Sequence, residues 1–422
     1  MSKKKQTYIG AIATLMGGSL IAQIFTVLCS PVLTRLFSPE ALGVYSLVTG
    51  AVTMFGSIMS FRYELCIVSE KEEEKVYSLI KLSVLICVIL SMVIFGGYCL
   101  YFSLVKNHKA FISLSIITAL LVFLYGVINI ATAYNNRQQQ YQLITKTYVK
   151  RVFAQNACNV VAGLLKCGPI GLSFSHLIGY LAGVLGQIKP MLLVKDRIFS
   201  ASKKQMVDVF RENRKQALLS TPATFANGMS YTLINYFIEA LFSTAIVGYY
   251  SISYRVLGLP ITIISGNISK VFLEKASKEY NQKGNFVSSF RTTMFFSILM
   301  AIPIGITLYC FAPWACEVFF GEGWEIAGIY IRILTPMFML RFVAGGVNTS
   351  AIIVDKQQID FGIQASFVIG LCIILGIGKY TNCSVEQFLT MISILFSIIY
   401  VIYILLFYYC AKNKNGISDE TK

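Results

Sequence analysis

QFLTMISILFSIIYVIYILLFYYC, residues 387–410, is the stretch that decides the fold class, because it contains no charged residue. A helix needs about 20 apolar residues to cross the hydrocarbon core of a bilayer, and this stretch is long enough. The whole chain has the same character: 56% of its residues are hydrophobic, 13% are charged and its mean hydropathy is +0.67. Soluble domains carry about 25% charged residues. The composition therefore predicts an integral membrane protein rather than a soluble one.

Apolar runs of this kind recur along the chain between charged or polar connectors. They are too long for membrane strands and lack the alternation of inward and outward residues that strands show. We therefore predict an all-α integral membrane protein with about 12 transmembrane helices. The predicted spans are 9–33, 41–61, 78–104, 110–133, 147–165, 170–194, 216–238, 243–267, 292–312, 326–354, 359–378 and 387–410.

The two halves of the chain carry a short repeat. Leu-Phe-Ser at 36–38 precedes Gly-Val-Tyr-Ser at 43–46, and Leu-Phe-Ser at 241–243 precedes Gly-Tyr-Tyr-Ser at 248–251. Each copy joins the first span of its half to the second, which favours a duplication. Transporters built from such repeats bind substrate between the halves and expose it alternately to each side. We therefore predict two six-helix bundles around a central cavity. The predicted domains are an N-terminal six-helix bundle at 1–200, a cytoplasmic linker at 201–215, a C-terminal six-helix bundle at 216–410 and a cytoplasmic tail at 411–422.

The distribution of positive charge predicts the orientation of these helices. If the N-terminus is cytoplasmic, 27 of the 36 Lys and Arg residues lie in inner connectors and tails, and five lie in outer connectors. Cytoplasmic loops of membrane proteins carry such an excess. We therefore predict a multi-pass protein with both termini in the cytoplasm. The net charge of +16 is interpreted as a topology signal rather than as a surface for nucleic acid.

Arginines within the spans indicate where a substrate could bind. Arg255 and Arg341 fall near the middle of their spans, whereas Arg62 and Glu64 lie at the inner end of theirs. An arginine at a helix centre costs roughly 2.5–3.5 kcal/mol on insertion scales, so such residues usually face a protein interior or a wet cavity. No carboxylate falls near the middle of a span, so the predicted cavity favours an anion, and guanidinium suits phosphate. The alternative is that these arginines bond to carbonyls or to Glu64 and only tie helices together. The residues predicted to bind an anionic head group and sugar hydroxyls are Arg62, Arg255, Arg341, Glu64, Gln23 and Asn235.

Two blocks of sequence resemble a known family. LTRLFSPEALGVYS at 33–46 and FRYELCI at 61–67 closely resemble signature blocks of Wzx-type polysaccharide and O-antigen repeat-unit flippases. These flippases form the polysaccharide transporter branch of the multidrug/oligosaccharidyl-lipid/polysaccharide (MOP) exporter superfamily. The resemblance implies a flippase in the bacterial cytoplasmic (inner) membrane. It would move undecaprenyl-diphosphate-linked oligosaccharides between leaflets for O-antigen, capsule or lipopolysaccharide biosynthesis.

The same resemblance implies the partners. They are the lipid-linked oligosaccharide and membrane lipids, with a polysaccharide polymerase and a chain-length regulator as candidate protein partners. A monomer would suffice for function, and no nucleic acid is expected. Lipid II flippases of the superfamily differ in having fourteen spans and arginines in the first helix, where this chain offers Gln23.

Other functions require residues that can be sought in the sequence. A cation-coupled multidrug exporter of the same superfamily is the alternative, but it normally needs carboxylates inside its cavity. A membrane-bound polymerase or ligase needs a sizeable outer loop, and the outer connectors are short. The sequence contains no nucleotide-binding loop, dinucleotide fingerprint or metal-ligand cluster. We therefore expect neither a cofactor nor a metal site, and no catalytic residues.

Overall fold

The computed structural model describes residues 8–105, 109–354 and 357–412, and every regular element within these ranges is a helix. Each of the twelve predicted spans coincides with a helix over most of its length, and some continue into a turn or a second helix, so the predicted all-α membrane fold is confirmed. Nine of the helices in the described ranges are long and apolar enough to cross a membrane by length and composition alone. The helices are α1 Tyr8–Leu36, α2 Pro39–Gly56, α3 Glu64–Ser69, α4 Glu73–Val105, α5 Lys109–Arg137, α6 Tyr141–Leu164, α7 Gly168–Gln187, α8 Lys189–Leu192, α9 Lys195–Ser200, α10 Lys203–Glu212, α11 Arg214–Leu241, α12 Thr244–Pro260, α13 Gly266–Lys283, α14 Val287–Phe320, α15 Glu325–Gly346, α16 Ser350–Ile353, α17 Gln357–Thr381 and α18 Val385–Lys412.

The chain divides into two compact units, one up to Thr232 and one from Leu233, so the boundary falls inside α11. The more polar long helices are α6 and α11, which account for two predicted spans outside the nine. The third is α2, which is short and ends at Gly56. Its predicted span ran on to residue 61, but an irregular turn replaces the last part of the helix.

In the first unit, α4 and α5 pack around a core in which Ile67, Leu79 and Leu121 are fully buried. Most of the predicted linker at 201–215 forms helix α10, which packs against α4 in this unit. Helix α10 begins with a capping box between Ser202 and Gln205, and Val209 on its inner face is buried in the same core. An amphipathic segment so placed gains stability by covering apolar surface.

In the second unit, α12 continues through a π-helical turn at Ile261–Ser265 into α13. Pro260 lacks a backbone N–H, which interrupts the helical hydrogen-bond ladder immediately before this turn. The predicted span 326–354 is also interrupted, because α15 ends at Gly346 and a short turn precedes α16. The two interruptions meet: Ser265 donates a hydrogen bond to the Phe342 carbonyl at 2.7 Å, and Ser269 donates to Asn348 Oδ1 at 2.6 Å.

Candidate functional site

In the first unit, the structure brings Arg62 and Glu64 together. Arg62 Nη1 lies 3.2 Å from Glu64 Oε1, and the Ser60 hydroxyl donates to the second carboxylate oxygen. Glu64 is only 4% exposed. Arg62 has a φ of 63°, which a non-glycine residue rarely adopts, and its Nε is buried with no hydrogen-bond partner in the described chain. The carboxylate therefore neutralises this arginine, which lies in the irregular turn between α2 and α3.

In the second unit, Arg341 lies among aromatic rings. Its Nη1 donates to the Tyr254 hydroxyl at 3.1 Å, and its guanidinium carbon lies 5.6 Å from the Tyr254 ring centroid and 5.5 Å from that of Phe338. Arg255 follows Tyr254 directly in α12 and is half-buried. Asn235 in α11 is half-buried too, and its Oδ1 has no hydrogen-bond partner in the described chain.

The predicted site residues therefore fall into two groups. Gln23, which is half-buried in α1, belongs with Arg62 and Glu64 to the first unit. Asn235, Arg255 and Arg341 belong to the second. Their joint role in one cavity stays a prediction.

A polar cavity in the first unit contains an arginine that is not among the predicted site residues. This cavity has a volume of about 280 Å³ and lies among α1, α5, α6 and α7. Its polar lining combines hydroxyls, amides and one guanidinium, and none of its described lining residues is acidic. We call it the Arg151 cavity; its polar lining residues are Ser19, Tyr125, Asn129, Thr132, Thr145, Thr147, Tyr148, Arg151 and Gln187.

Two tyrosines hold the Arg151 side chain. Its guanidinium carbon lies 4.8 Å from the Tyr148 ring centroid and 5.0 Å from that of Tyr180. Its Nε is buried without a hydrogen-bond partner, and it has no acidic partner among the described residues. An arginine that stacks on aromatic faces but lacks a counter-charge can bind an anion with its planar fork of N–H donors.

A buried polar chain fixes the ring behind Arg151. Gln155 Nε2 donates to the Tyr45 hydroxyl at 2.9 Å, and that hydroxyl lies 3.0 Å from His176 Nδ1. His176 in turn meets the Tyr180 ring edge-on, with 4.5 Å between the ring centroids. These contacts satisfy the buried polar groups and keep Tyr180 in place under the guanidinium.

The amide of Gln187 forms another part of the cavity wall. Thr132 donates to Gln187 Oε1 at 2.6 Å, and Asn135 donates to the Gln187 backbone carbonyl at 2.9 Å. Hydrogen bonds therefore hold these wall residues in place, which limits the rearrangement needed when a polar ligand binds.

Glycines in α7 allow α6 to bring Arg151 to this position. Thr147, Arg151 and Gln155 are spaced by four residues and so lie on one face of α6. A Cβ on Gly183 would lie 3.2 Å from Arg151 Cδ, one on Gly179 would lie 2.8 Å from Gln155 Cβ, and one on Gly186 would overlap the Thr147 methyl. Small residues at such an interface let membrane helices approach closely.

The sequence places Arg151 near the inner end of the predicted span 147–165, so it was not predicted to be a site residue. Helix α6 begins at Tyr141, so Arg151 lies about 15 Å along the helix. The signal that could have found it is the pairing of two patterns. One is the spacing of Thr147, Arg151 and Gln155, and the other is the Gly179–Gly183 pair in the next helix.

Comparison with known proteins places the chain in a family. Residues 32–327 match the family model described as "Polysaccharide biosynthesis protein". The chain belongs to this polysaccharide biosynthesis family. The match includes both sequence blocks at 33–67, so the predicted resemblance is confirmed. No curated protein sequence matches the chain significantly.

Solved structures of other proteins share the fold of this chain. The lipid II flippase MurJ in an inward closed conformation superposes with a TM-score of 0.70 at 14% identity, covering 93% of this chain and 86% of that one. An inward-facing multidrug resistance MATE family transporter of the MOP superfamily gives 0.66 at 13% identity, covering 97% and 99%. A MOP superfamily transporter from Pyrococcus furiosus gives 0.57 at 12% identity, covering 96% and 95%. The polysaccharide biosynthesis protein therefore has the fold of MOP superfamily transporters.

Proposed function

We propose that the protein is a flippase that translocates undecaprenyl-diphosphate-linked oligosaccharide repeat units across the bacterial cytoplasmic membrane. Its products would be used in surface polysaccharide biosynthesis, as O-antigen or capsule, and it would work by alternating access without chemistry on the substrate. Membership of the polysaccharide biosynthesis family supports the substrate class. The lipid II flippase among the structural neighbours shows that this fold can serve a lipid-linked substrate.

The Arg151 cavity is the observation that carries this proposal. The guanidinium of Arg151 lines this cavity next to hydroxyl and amide groups, and it has no acidic partner among the described residues. A diphosphate would supply the negative counter-charge for Arg151. Hydrogen bonds to charged groups contribute about 1.5–3 kcal/mol each to the free energy of binding. Thr132, Asn129 and Tyr148 would then face the sugar or the bridging oxygens.

A cation-coupled multidrug exporter is the competing function, because MATE transporters share the fold. Such a protein would use a carboxylate to bind its cation. In the first unit, the buried carboxylate of Glu64 is already paired with Arg62 and Ser60. The charges of the Arg151 cavity therefore favour an anionic substrate.

The proposal extends to location and partners. We infer that the chain lies in the inner membrane with both termini in the cytoplasm, where lipid-linked repeat units are made. A polysaccharide polymerase and a chain-length regulator would act on the exported units. Since the proposed translocation uses the groups of one chain, a monomer would suffice.

The test is complementation of a clean deletion in the native host. We expect the deletion to abolish surface polymer and to leave lipid-linked repeat units on the inner leaflet, and the wild-type gene to restore export. Arg151→Ala should lower export at least about tenfold, the effect of losing one hydrogen bond to a charged group, and Arg151→Lys should restore only part of it. Protein abundance in the membrane is measured in parallel.

Arg291 offers a matched control. It also lies near a tyrosine ring, 5.7 Å from the Tyr408 centroid, but it belongs to α14 in the other unit. Arg291→Ala should export normally. Normal export by Arg151→Ala would remove Arg151 from the site. Drug resistance without a polymer defect would replace the flippase with the multidrug exporter.

A further inference from the structure

An apolar groove runs along the surface of the second unit between α14 and α15. Its volume is about 450 Å³, and no charged side chain is among its described lining residues. Ile302 and Ile306 on its rim are 56% and 59% exposed. Thr335 also lines it, but its hydroxyl donates to the Ile331 carbonyl at 2.7 Å, which leaves the methyl group for the groove. The groove therefore presents a mainly apolar surface.

Gly305 shapes the floor of this groove. A Cβ at this position would lie 2.9 Å from Met339 Cγ on α15, so the absence of a side chain keeps the channel open. Along α14 the lining extends from Ile298 to Cys310, which is about 18 Å at the helical rise. Half of a hydrocarbon core of about 30 Å has nearly the same depth. The groove is therefore about one leaflet long.

An arginine stands at one end of the groove. Arg332 Nε donates to the carbonyl oxygen of Tyr309, a lining residue, at 3.0 Å. Its guanidinium carbon lies 5.7 Å from the Tyr309 ring centroid. Arg332 is exposed, and it has no acidic partner among the described residues. It lies seven residues after Glu325, the first residue of α15, or about 10 Å along the helix.

The bond to the Tyr309 carbonyl matters for how this arginine is used. An arginine near a helix end usually extends its charge towards the aqueous interface. Here Nε is bonded to the backbone of Tyr309, a residue that lines the groove, so the guanidinium is held beside the end of the groove. This places a planar phosphate-binding fork next to a hydrocarbon channel.

We propose that the groove and Arg332 form a binding site for a polyprenyl diphosphate, with the isoprenoid chain along α14 and α15 and the diphosphate on Arg332. The inference rests on the proposed function for the identity of the lipid. A single groove suits a lipid with one chain, whereas a membrane phospholipid has two. In the predicted topology this end of α15 is the outer one, so the site would hold the lipid carrier in the outer leaflet.

The experiment is site-resolved cross-linking. The purified full-length protein is placed in phosphatidylcholine nanodiscs with an undecaprenyl diphosphate that bears a photoreactive group on its chain, and labelled peptides are identified by mass spectrometry. We expect labelling of peptides from α14 and α15. Arg332→Gln should lower that labelling about tenfold, the effect of one charged hydrogen bond. Gly305→Leu should lower it by filling the groove.

Two control variants match these changes. Arg291→Gln removes an exposed arginine of α14 that is bonded to the Tyr408 hydroxyl at 2.7 Å, outside the groove. Gly376→Leu enlarges a glycine of α17 that has open space around it. Both should be labelled like the wild type. Labelling that is the same in Arg332→Gln and Gly305→Leu as in the controls would overturn the proposal.

Competitors and a further variant separate the remaining outcomes. If unlabelled phosphatidylglycerol displaces the probe as well as unlabelled undecaprenyl diphosphate does, the groove binds ordinary anionic phospholipid and the proposal fails. Arg151→Ala should leave the α14 and α15 labelling unchanged. Loss of groove labelling with intact export would refute this site alone, whereas groove labelling in a protein that exports no repeat units would refute the proposed function alone.

Discussion

At the level of single residues, the Arg62–Glu64 pair shows how a buried charge can be structural. Both Arg62 and Ser60 donate to a carboxylate that is almost fully buried. Replacing it with an amide would leave the Arg62 guanidinium, whose Nε already lacks a partner, without a counter-charge. We expect Glu64→Gln to lower the free energy of unfolding by about 1–3 kcal/mol, the cost of an unsatisfied buried partner. Thermal unfolding of the purified protein in detergent measures it.

The matched control for this residue is Glu212, whose carboxylate lies 3.1 Å from Lys75 Nζ but is half exposed. Exposed ion pairs contribute about 0–1 kcal/mol, so Glu212→Gln should leave the unfolding temperature almost unchanged. Equal stability of the two variants would show that Glu64 does not hold the turn between α2 and α3. Glu64 would then return as a candidate for substrate or cation binding.

At the level of elements, the α6–α7 interface connects packing to the proposed site. A Cβ on Gly186 would overlap the Thr147 methyl, so Gly186→Ala should push α6 away from α7 and shift Arg151 relative to its tyrosines. We expect export to fall at least severalfold although every polar group of the cavity remains. The measurement is surface polymer per inserted protein in the complemented deletion strain.

Gly96 in α4 is the control for this helix pair, because a Cβ there meets nothing within 4 Å. Gly96→Ala should export like the wild type, since exchange of glycine for alanine in a helix is otherwise mildly stabilising. If Gly186→Ala also exports normally, close approach of α6 and α7 is not what positions Arg151.

For the whole molecule, hydropathy and charge were enough to predict the fold, because the bilayer demands long apolar helices. They could not predict the interruptions after Gly56 and Gly346, since these depend on contacts such as that of Ser265 with Phe342. The arginine of the Arg151 cavity could not be predicted as a site residue for a related reason. Arg151 looks like a helix-end charge in the sequence, and only the packing of α6 on α7 turns it inward. Depth within a span is readable from sequence, but the direction of a side chain depends on its neighbours.

The roles proposed for the Arg151 cavity and for the groove beside Arg332 both depend on the predicted orientation of the protein in the membrane. With the N-terminus inside, Arg151 lies in the inner half of α6, where a lipid-linked substrate made in the cytoplasm would arrive, and Arg332 lies near the outer face. Cys167, exposed between α6 and α7, should then react with a membrane-impermeant maleimide in spheroplasts when it is the only cysteine retained. A single cysteine introduced by Ser200→Cys, in α9 on the other side, should react only after the membrane is permeabilised. The excess of lysine and arginine in the inner connectors is the physical reason for this difference. The reverse pattern would show that the protein has the opposite orientation in the membrane. Arg332 would then lie near the cytoplasmic face and Arg151 in the outer half, which is incompatible with export from the cytoplasm in the order proposed.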